Sequence, residues 1–162
     1  MEYFEEFYKK HVKMVYRICL LLLKNVEDAE DATQNVFLKF LKAERTFQSE
    51  EHEKAYLIVT ARNTGLSMLR QWWRKNRCDI TQLPEEGQCD SHLRQELWNE
   101  IAQLHEKYRM VLYLYYFEGY STDEIGEILN VVPATVRGRL KTARTLLKKR
   151  LEVNENDWKR DI

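Results

Sequence analysis

The residues best suited to chemistry lie on one side of a predicted helix near the C-terminus. Residues 121–150 read STDEIGEILNVVPATVRGRLKTARTLLKKR. In the second half of this stretch apolar residues recur at helical spacing, which leaves cations and small residues on the opposite side. That side carries Ala134, Arg137, Gly138, Lys141, Thr142 and Thr145. A helix side that combines cations with small side chains can enter a DNA major groove and contact its phosphates and base edges.

Local signals predict how this side is held. Ser121 and Glu124 form an S-x-x-E capping box that starts a first helix. Asn130 tolerates the left-handed backbone of a turn, and Pro133 suits the first turn of a second helix. Two apolar stripes then pack inward: Ile125, Ile128 and Leu129 in the first helix, and Val136, Leu140, Ala143 and Leu147 in the second. The pattern favours a helix-turn-helix, although paired amphipathic helices also occur in proteins that bind no DNA.

Composition limits the fold and the location. The chain has 162 residues, with only five Gly and two Pro, which favours long helices over turn-rich β structure. Its longest apolar run, residues 18–23, is far shorter than the roughly 20 residues that span a bilayer. No signal-peptide pattern opens it. We expect a cytoplasmic, all-α protein without membrane insertion.

The net charge of zero conceals a segregated charge pattern. Residues 54–77 carry six Lys/Arg and residues 137–150 carry seven, and neither block contains an acid. Residues 1–53 and 78–136 are each rich in acids. Because phosphate attraction decays over a Debye length of roughly 8–10 Å, the two local basic blocks matter more for nucleic-acid binding than the total charge does.

The cysteines indicate neither a disulfide framework nor a metal site. Cys19, Cys78 and Cys89 are odd in number, and Cys19 lies within an apolar run. Cys89 and His92 form a single C-x-x-H, a weak signal. We expect no metal, no cofactor and no small-molecule substrate.

Helical periodicity predicts two small helical domains joined by a linker, the second ending in the helix-turn-helix. The first domain spans residues 1–76, with helices over 3–23, 27–45 and 53–75 and a polar loop at 46–52. Residues 77–91 form the linker, with Pro84 and Gly87. The second domain spans residues 92–151, and residues 152–162 are a charged tail.

Three motifs occur in a fixed order: AED-xx-Q-x-VFLK at 29–39, Y-L-xxx-ARN at 56–63, and EG-xS-xxEI followed by TV-x-xRL at 118–140. Together they resemble the extracytoplasmic-function, or group 4, sigma factors of bacterial RNA polymerase. The resemblance covers nearly the whole chain. It implies a non-enzymatic factor that brings core RNA polymerase to promoter DNA and is restrained by an anti-sigma factor.

The resemblance assigns a polymerase-binding surface to the second helix. Its buried stripe is predicted at Ala29, Ala32, Val36 and Phe40, with Phe37 and Leu41 alongside. The outward side would meet the polymerase clamp through Asp31, Gln34, Asn35, Leu38 and Lys42. Many relatives carry an acid where Asn35 stands.

The third helix would contact the −10 promoter element. The predicted contacts are Asn63, Ser67, Arg70, Gln71, Arg74 and Lys75. Arg62 falls in the predicted buried stripe and needs a partner, for which Asp28 or Asp31 is the candidate. Phe47, in the preceding loop, either stacks on a flipped base or caps the core.

The terminal helix would read the −35 element in duplex form. Arg137 and Lys141 would contact bases, while Ala134 and Gly138 allow a close approach. Thr142 lies on the same side, and Arg139 and Arg144 would hold phosphates. The alternatives are a helix-turn-helix regulator that binds duplex DNA without polymerase, an adaptor that does not read DNA, and a redox or zinc sensor using Cys78 or Cys89.

Overall fold

The chain is all-α across the part that the structure, a computed structural model, describes: the backbone of residues 2–75 and 92–158, with side chains at 2–71 and 97–152. It divides into two compact units, Met1–Pro84 and Glu85–Ile162. The predicted fold class is confirmed. Residues 77–91, which include Cys78 and Cys89, were predicted as the linker and lie outside the described residues.

Three helices make up the N-terminal unit: α1 (Glu2–Leu23), α2 (Val26–Ala43) and α3 (Glu50–Lys75). Every pair of them is in contact. The fully buried side chains include Val15, Ile18, Leu20, Leu21, Ala29, Ala32, Val36, Leu57, Ile58 and Ala61. Asn25, whose side chain accepts a hydrogen bond from the Asp28 backbone N–H, caps the N-terminus of α2.

A buried polar contact joins the first and third helices. Nε2 of His11 lies 3.1 Å from Oε1 of Glu53, and both side chains are nearly buried. The hydroxyl of Tyr3 donates to the other carboxylate oxygen of Glu53 at 3.2 Å. Because buried polar groups cost free energy unless they are paired, this contact specifies how α1 packs on α3.

Two predicted details of this unit differ from the structure. α3 begins at Glu50 rather than near Glu53, because the Ser49 hydroxyl accepts from the backbone N–H of His52 and caps an earlier turn. Leu41 was predicted beside the buried stripe but is 47% exposed. It follows Phe40 by one residue, about 100° further round the helix, and so turns toward solvent.

The C-terminal unit contains α4 (His92–Ala102), α5 (Glu106–Leu112), α6 (Thr122–Leu129) and α7 (Pro133–Trp158). A π-helical turn, Tyr113–Phe117, continues α5. The core combines residues of α4, α5, the π-helical turn and α7: Ile101, Met110, Val111, Leu112, Leu114, Val136, Leu140 and Ala143. α7 therefore packs with one side inward, as its periodicity predicts.

The predicted helix-turn-helix signals are confirmed. Ser121 and Glu124 form both hydrogen bonds of the capping box at the start of α6. Asn130 ends α6 in the left-handed region with φ 56°, and α7 begins at Pro133. A Cβ atom at Gly126 would lie only 2.7 Å from the backbone oxygen of Val131, so the close approach of α6 to the turn requires glycine there.

We predict opposite effects of alanine at two glycines of this unit. Gly126→Ala lowers the free energy of unfolding by about 1–3 kcal/mol, because the backbone of Val131 cannot yield to the methyl group. Gly138→Ala is the control: its Cβ meets nothing within 4 Å, and helix propensity raises stability by about 1 kcal/mol. Thermal and urea unfolding measure both. Equal stability of the two variants would contradict the close approach at Gly126.

Candidate nucleic-acid interface

The outward side of α7 is free of the packed core. Its exposed residues are Ala134, Arg137, Gly138, Lys141, Thr142 and Thr145. The buried side holds Val136, Leu140 and Ala143. Within the described residues, neither Arg137 nor Lys141 forms a side-chain ion pair. Their charges therefore remain available to an external anion.

Gly138 leaves an opening in the middle of this side. A Cβ atom there would meet nothing within 4 Å, so no packing within the unit requires glycine. Glycine in a helix interior costs about 1 kcal/mol relative to alanine. At an open, cationic surface a glycine leaves room for a ligand whose backbone comes close to the helix.

Arg144 is held by aromatic side chains. Its Nε–H donates to the hydroxyl of Tyr116 at 2.6 Å, and its guanidinium carbon lies 5.6 Å from the ring centres of Tyr115 and Tyr116. A guanidinium has further N–H donors, which remain for a phosphate. Arg139, the other predicted phosphate contact, is half-buried beside the core stripe.

The predicted −10 surface of α3 is exposed where its side chains are described. Asn63, Ser67, Arg70 and Gln71 all face solvent. The inward side instead buries Leu57, Ile58, Ala61, Thr64 and Gly65. The side chains of Arg74 and Lys75 lie outside the described residues, as do those of Trp72 and Trp73.

Arg62 does not have the predicted acidic partner. Its side chain is half-buried, and its buried Nε atom has no hydrogen-bond partner. Within the described residues no ion pair joins it to Asp28 or Asp31. Asp31 is exposed on the outward side of α2, which explains why it does not reach α3.

Phe47 packs on the core of the N-terminal unit. Its ring is stacked on Phe40, with centres 5.7 Å apart and planes 8° from parallel. The Tyr56 ring lies 5.2 Å away and the His52 ring 5.7 Å away. Of the two roles that the sequence left open, capping the core is the one seen.

The outward side of α2 has an apolar centre within a polar rim. Its predicted contacts, Asp31, Gln34, Asn35, Leu38 and Lys42, are all exposed. Leu38 is 50% and Leu41 is 47% exposed, and residues three apart are neighbours on a helix. The sequence analysis did not place Leu41 on this surface, because periodicity does not show how exposed a side chain next to a buried stripe is. Interfaces between proteins commonly have such a centre.

An apolar groove of about 430 Å³ runs between α4, the π-helical turn and α7. Its lining includes Leu97, Ile101, Phe117, Leu147 and Leu151. Phe117 and Tyr116 are both more than half exposed. The C-terminal unit therefore presents an apolar surface besides its cationic one.

No described group of His, Cys, Asp or Glu is arranged to hold a metal. Cys19 is fully buried, and burial raises the pKa of its thiol to about 12, partly offset by a hydrogen bond with Thr33. The C-x-x-H of Cys89 lies outside the described residues. None of the described helices is of a length and apolarity that would span a bilayer.

Comparison with known proteins identifies both units. Models of Sigma-70 region 2 and of Sigma-70, region 4, match residues 7–75 and 94–147. The ECF RNA polymerase sigma factor SigW of Bacillus subtilis is 29% identical over 154 residues, which cover 85% of this chain and 82% of SigW. The chain belongs to the extracytoplasmic-function sigma factors.

Further similarities support the family and the fold. The sigma factor SigE of Mycolicibacterium smegmatis is 30% identical over 161 residues, 91% of this chain and 61% of SigE. The sigma factor RpoE of Bartonella quintana, solved with the anti-sigma factor NepR, has a similar fold: TM-score 0.82, 20% identity, 94% of this chain and 99% of that one. CnrH, solved with the cytosolic domain of CnrY, gives a TM-score of 0.68 at 20% identity, over 93% and 88% of the two chains.

This sigma factor directs RNA polymerase to promoters. Region 2 corresponds to the unit that carries the α2 and α3 surfaces, and region 4 to the unit that carries the helix-turn-helix. The exposed cationic side of α7 thus lies in a domain of a DNA-binding class.

We predict that Cys19 is chemically inert in the folded protein. A thiol whose pKa is raised to about 12 is almost wholly protonated at pH 8, and the thiolate is the reactive form. In a Cys78→Ser, Cys89→Ser variant, iodoacetamide at pH 8 leaves the native chain unlabelled and labels it once urea unfolds it. Rapid labelling without unfolding would contradict the burial of this residue.

Proposed function

We propose that this sigma factor uses three separate helix surfaces to initiate transcription. α2 binds core RNA polymerase, α3 contacts the −10 element, and α7 reads the −35 element as duplex DNA. The observation that carries the proposal is the exposed cationic side of α7, whose opposite side is buried by the rest of its unit.

On α7, Arg137 and Lys141 contact base edges. Both are exposed and unpaired among the described residues, and they lie one helical turn apart. Ala134, Gly138 and Thr142 let the helix lie deep in the groove. Arg139 and Arg144 hold phosphates, and the hydrogen bond from Arg144 to Tyr116 presets the direction of its guanidinium.

On α3, exposed Asn63, Ser67, Arg70 and Gln71 contact the −10 element, with Arg74 and Lys75 extending the surface. Amide groups hydrogen-bond base edges, and guanidinium groups bind phosphate or stack on bases. The support is the common outward position of Asn63, Ser67, Arg70 and Gln71 on one helix, opposite its buried residues.

On α2, the polymerase surface consists of Asp31, Gln34, Asn35, Leu38 and Lys42. Leu41 extends its apolar centre, because it is exposed next to Leu38. Docking would remove these two side chains from water. This burial makes the free energy of association more favourable, since burial of apolar area stabilises association. The polar rim gives the orientation.

An anti-sigma factor is the proposed regulator. The solved relatives RpoE and CnrH are each bound to another protein, NepR and the cytosolic domain of CnrY. Exposed apolar side chains in both units of this chain, such as Leu38 and Phe117, support a protein partner here. We further propose that the protein works in the cytoplasm and is not itself an enzyme, with polymerase performing the nucleotide chemistry.

We predict that Arg137→Ala weakens promoter binding by holoenzyme in a sequence-dependent manner. Loss of a bidentate base contact lowers the binding free energy by about 1–3 kcal/mol on a duplex with the natural −35 element, and by much less on a duplex with a scrambled element. Lys149→Ala is the control, because Lys149 is an exposed cation of the same helix outside the proposed set. The Lys149→Ala variant weakens binding to both duplexes slightly and equally. Fluorescence anisotropy with both duplexes measures the difference.

Equal loss on the natural and scrambled elements with Arg137→Ala would show that Arg137 binds only phosphate. No loss on either would remove it from the interface altogether.

We predict that Leu38→Ser weakens binding to core polymerase without lowering the stability of the sigma factor. Leu38 is half exposed, so its removal uncovers little core. As the proposed apolar centre of the interface it would belong to the minority of interface residues whose truncation costs more than about 1 kcal/mol of binding free energy. Val26→Ser, an exposed position at the start of the same helix, is the matched control. Competition against wild-type protein for core polymerase measures the effect. Equal affinity of the two variants would exclude Leu38 from the docking surface.

A further inference from the structure

Val132 stands at the entrance of α7 and faces solvent. It lies between Asn130, which ends α6, and Pro133, which begins α7. Its side chain is 63% exposed. Its carbonyl oxygen accepts the backbone N–H groups of Thr135 at 2.9 Å and Val136 at 3.3 Å. Val132 therefore occupies the N-cap position of α7.

Valine is poorly suited to that position. An N-cap side chain normally accepts a backbone N–H of the first turn, and valine has no acceptor. In the same motif Ser121 caps α6 with a complete capping box. Val132 therefore supplies no side-chain cap, and it also exposes an apolar group to solvent.

The surroundings indicate which ligand would compensate. Exposed Ala134, Arg137 and Gly138 follow on the first turns of α7. In helix-turn-helix proteins the N-terminal residues of the recognition helix contact base edges. In the major groove the apolar group that a base offers is the C5-methyl of thymine, whereas the other groups are hydrogen-bond donors and acceptors. A cation would hold a phosphate there, but valine cannot.

We propose that Val132 packs against the 5-methyl group of one thymine in the −35 element, and so makes promoter selection depend on that methyl. This inference rests on the proposed reading of duplex DNA by α7. Val132 would thus help to specify a base although it lies outside the cationic set. It would do so by an apolar contact, in addition to the polar contacts of Arg137 and Lys141.

The test replaces each thymine of the −35 element, on either strand, with deoxyuridine, which lacks only the methyl group. Holoenzyme binding to these duplexes is measured for wild-type protein and for Val132→Ser. Wild-type protein loses about fourfold in affinity at one position, the value expected for one buried methyl-sized group. Val132→Ser binds the natural duplex more weakly and shows no further loss at that position.

Folding and specificity are controlled separately. Serine caps helices well, so Val132→Ser unfolds at the same temperature as wild type or higher. Val26→Ser, with the same substitution at an exposed position of the other unit, keeps the full response to deoxyuridine.

Two results would overturn the inference: wild-type protein that is indifferent to deoxyuridine at every position, or Val132→Ser that responds as wild type does. If wild-type holoenzyme still distinguishes the natural from a scrambled element in those cases, the proposed function stands and only the role of Val132 falls. If it does not, α7 is not a base reader, and both proposals fail.

Discussion

The close approach of α6 to the turn before α7 is the constraint on which the exposed cationic side of α7 depends. Gly126 packs against the backbone of Val131 with no room for a Cβ atom, and Asn130 takes the left-handed conformation that reverses the chain. With the turn held in this way, Val136, Leu140 and Ala143 point into the core. The cations of α7 then face outward because the helix has no other side for them.

Several positions that break local rules of stability lie on the surfaces proposed to meet partners. The frame has a full capping box at Ser121 and a paired buried carboxylate at Glu53. The exceptions include Val132, an N-cap residue without a side-chain acceptor, the interior glycine Gly138 and the exposed leucines on α2. Such exceptions are expected at functional surfaces, where a ligand compensates for what the free protein lacks.

Local chemistry explains how much could be predicted from the sequence. The capping box, the left-handed Asn130 and the start at Pro133 each depend on residues within a few positions of one another, and all three are confirmed. The buried stripe of α7 is confirmed at Val136, Leu140 and Ala143, whereas Leu147 is half-buried. The fold class follows from the same helical periodicities. Which residues contact DNA or polymerase stays a prediction that rests on family resemblance and exposure.

What sequence reasoning missed or left open depends on contacts between helices. The environment of Arg62 and the packing of Phe47 on Phe40 are set by how α2 and α3 meet, which periodicity within one helix does not specify. The special position of Val132 becomes visible only once its carbonyl is seen to start α7.

Transcription of sheared genomic DNA by purified core polymerase, with and without this sigma factor, tests the central claim most directly. Sequencing of the 5′ ends should show a small set of new start sites, each preceded by two shared sequence elements at constant spacing. Without core polymerase, the protein should select none of these fragments. The account would be contradicted by the absence of new start sites, or by equal selection of the same DNA by the protein alone.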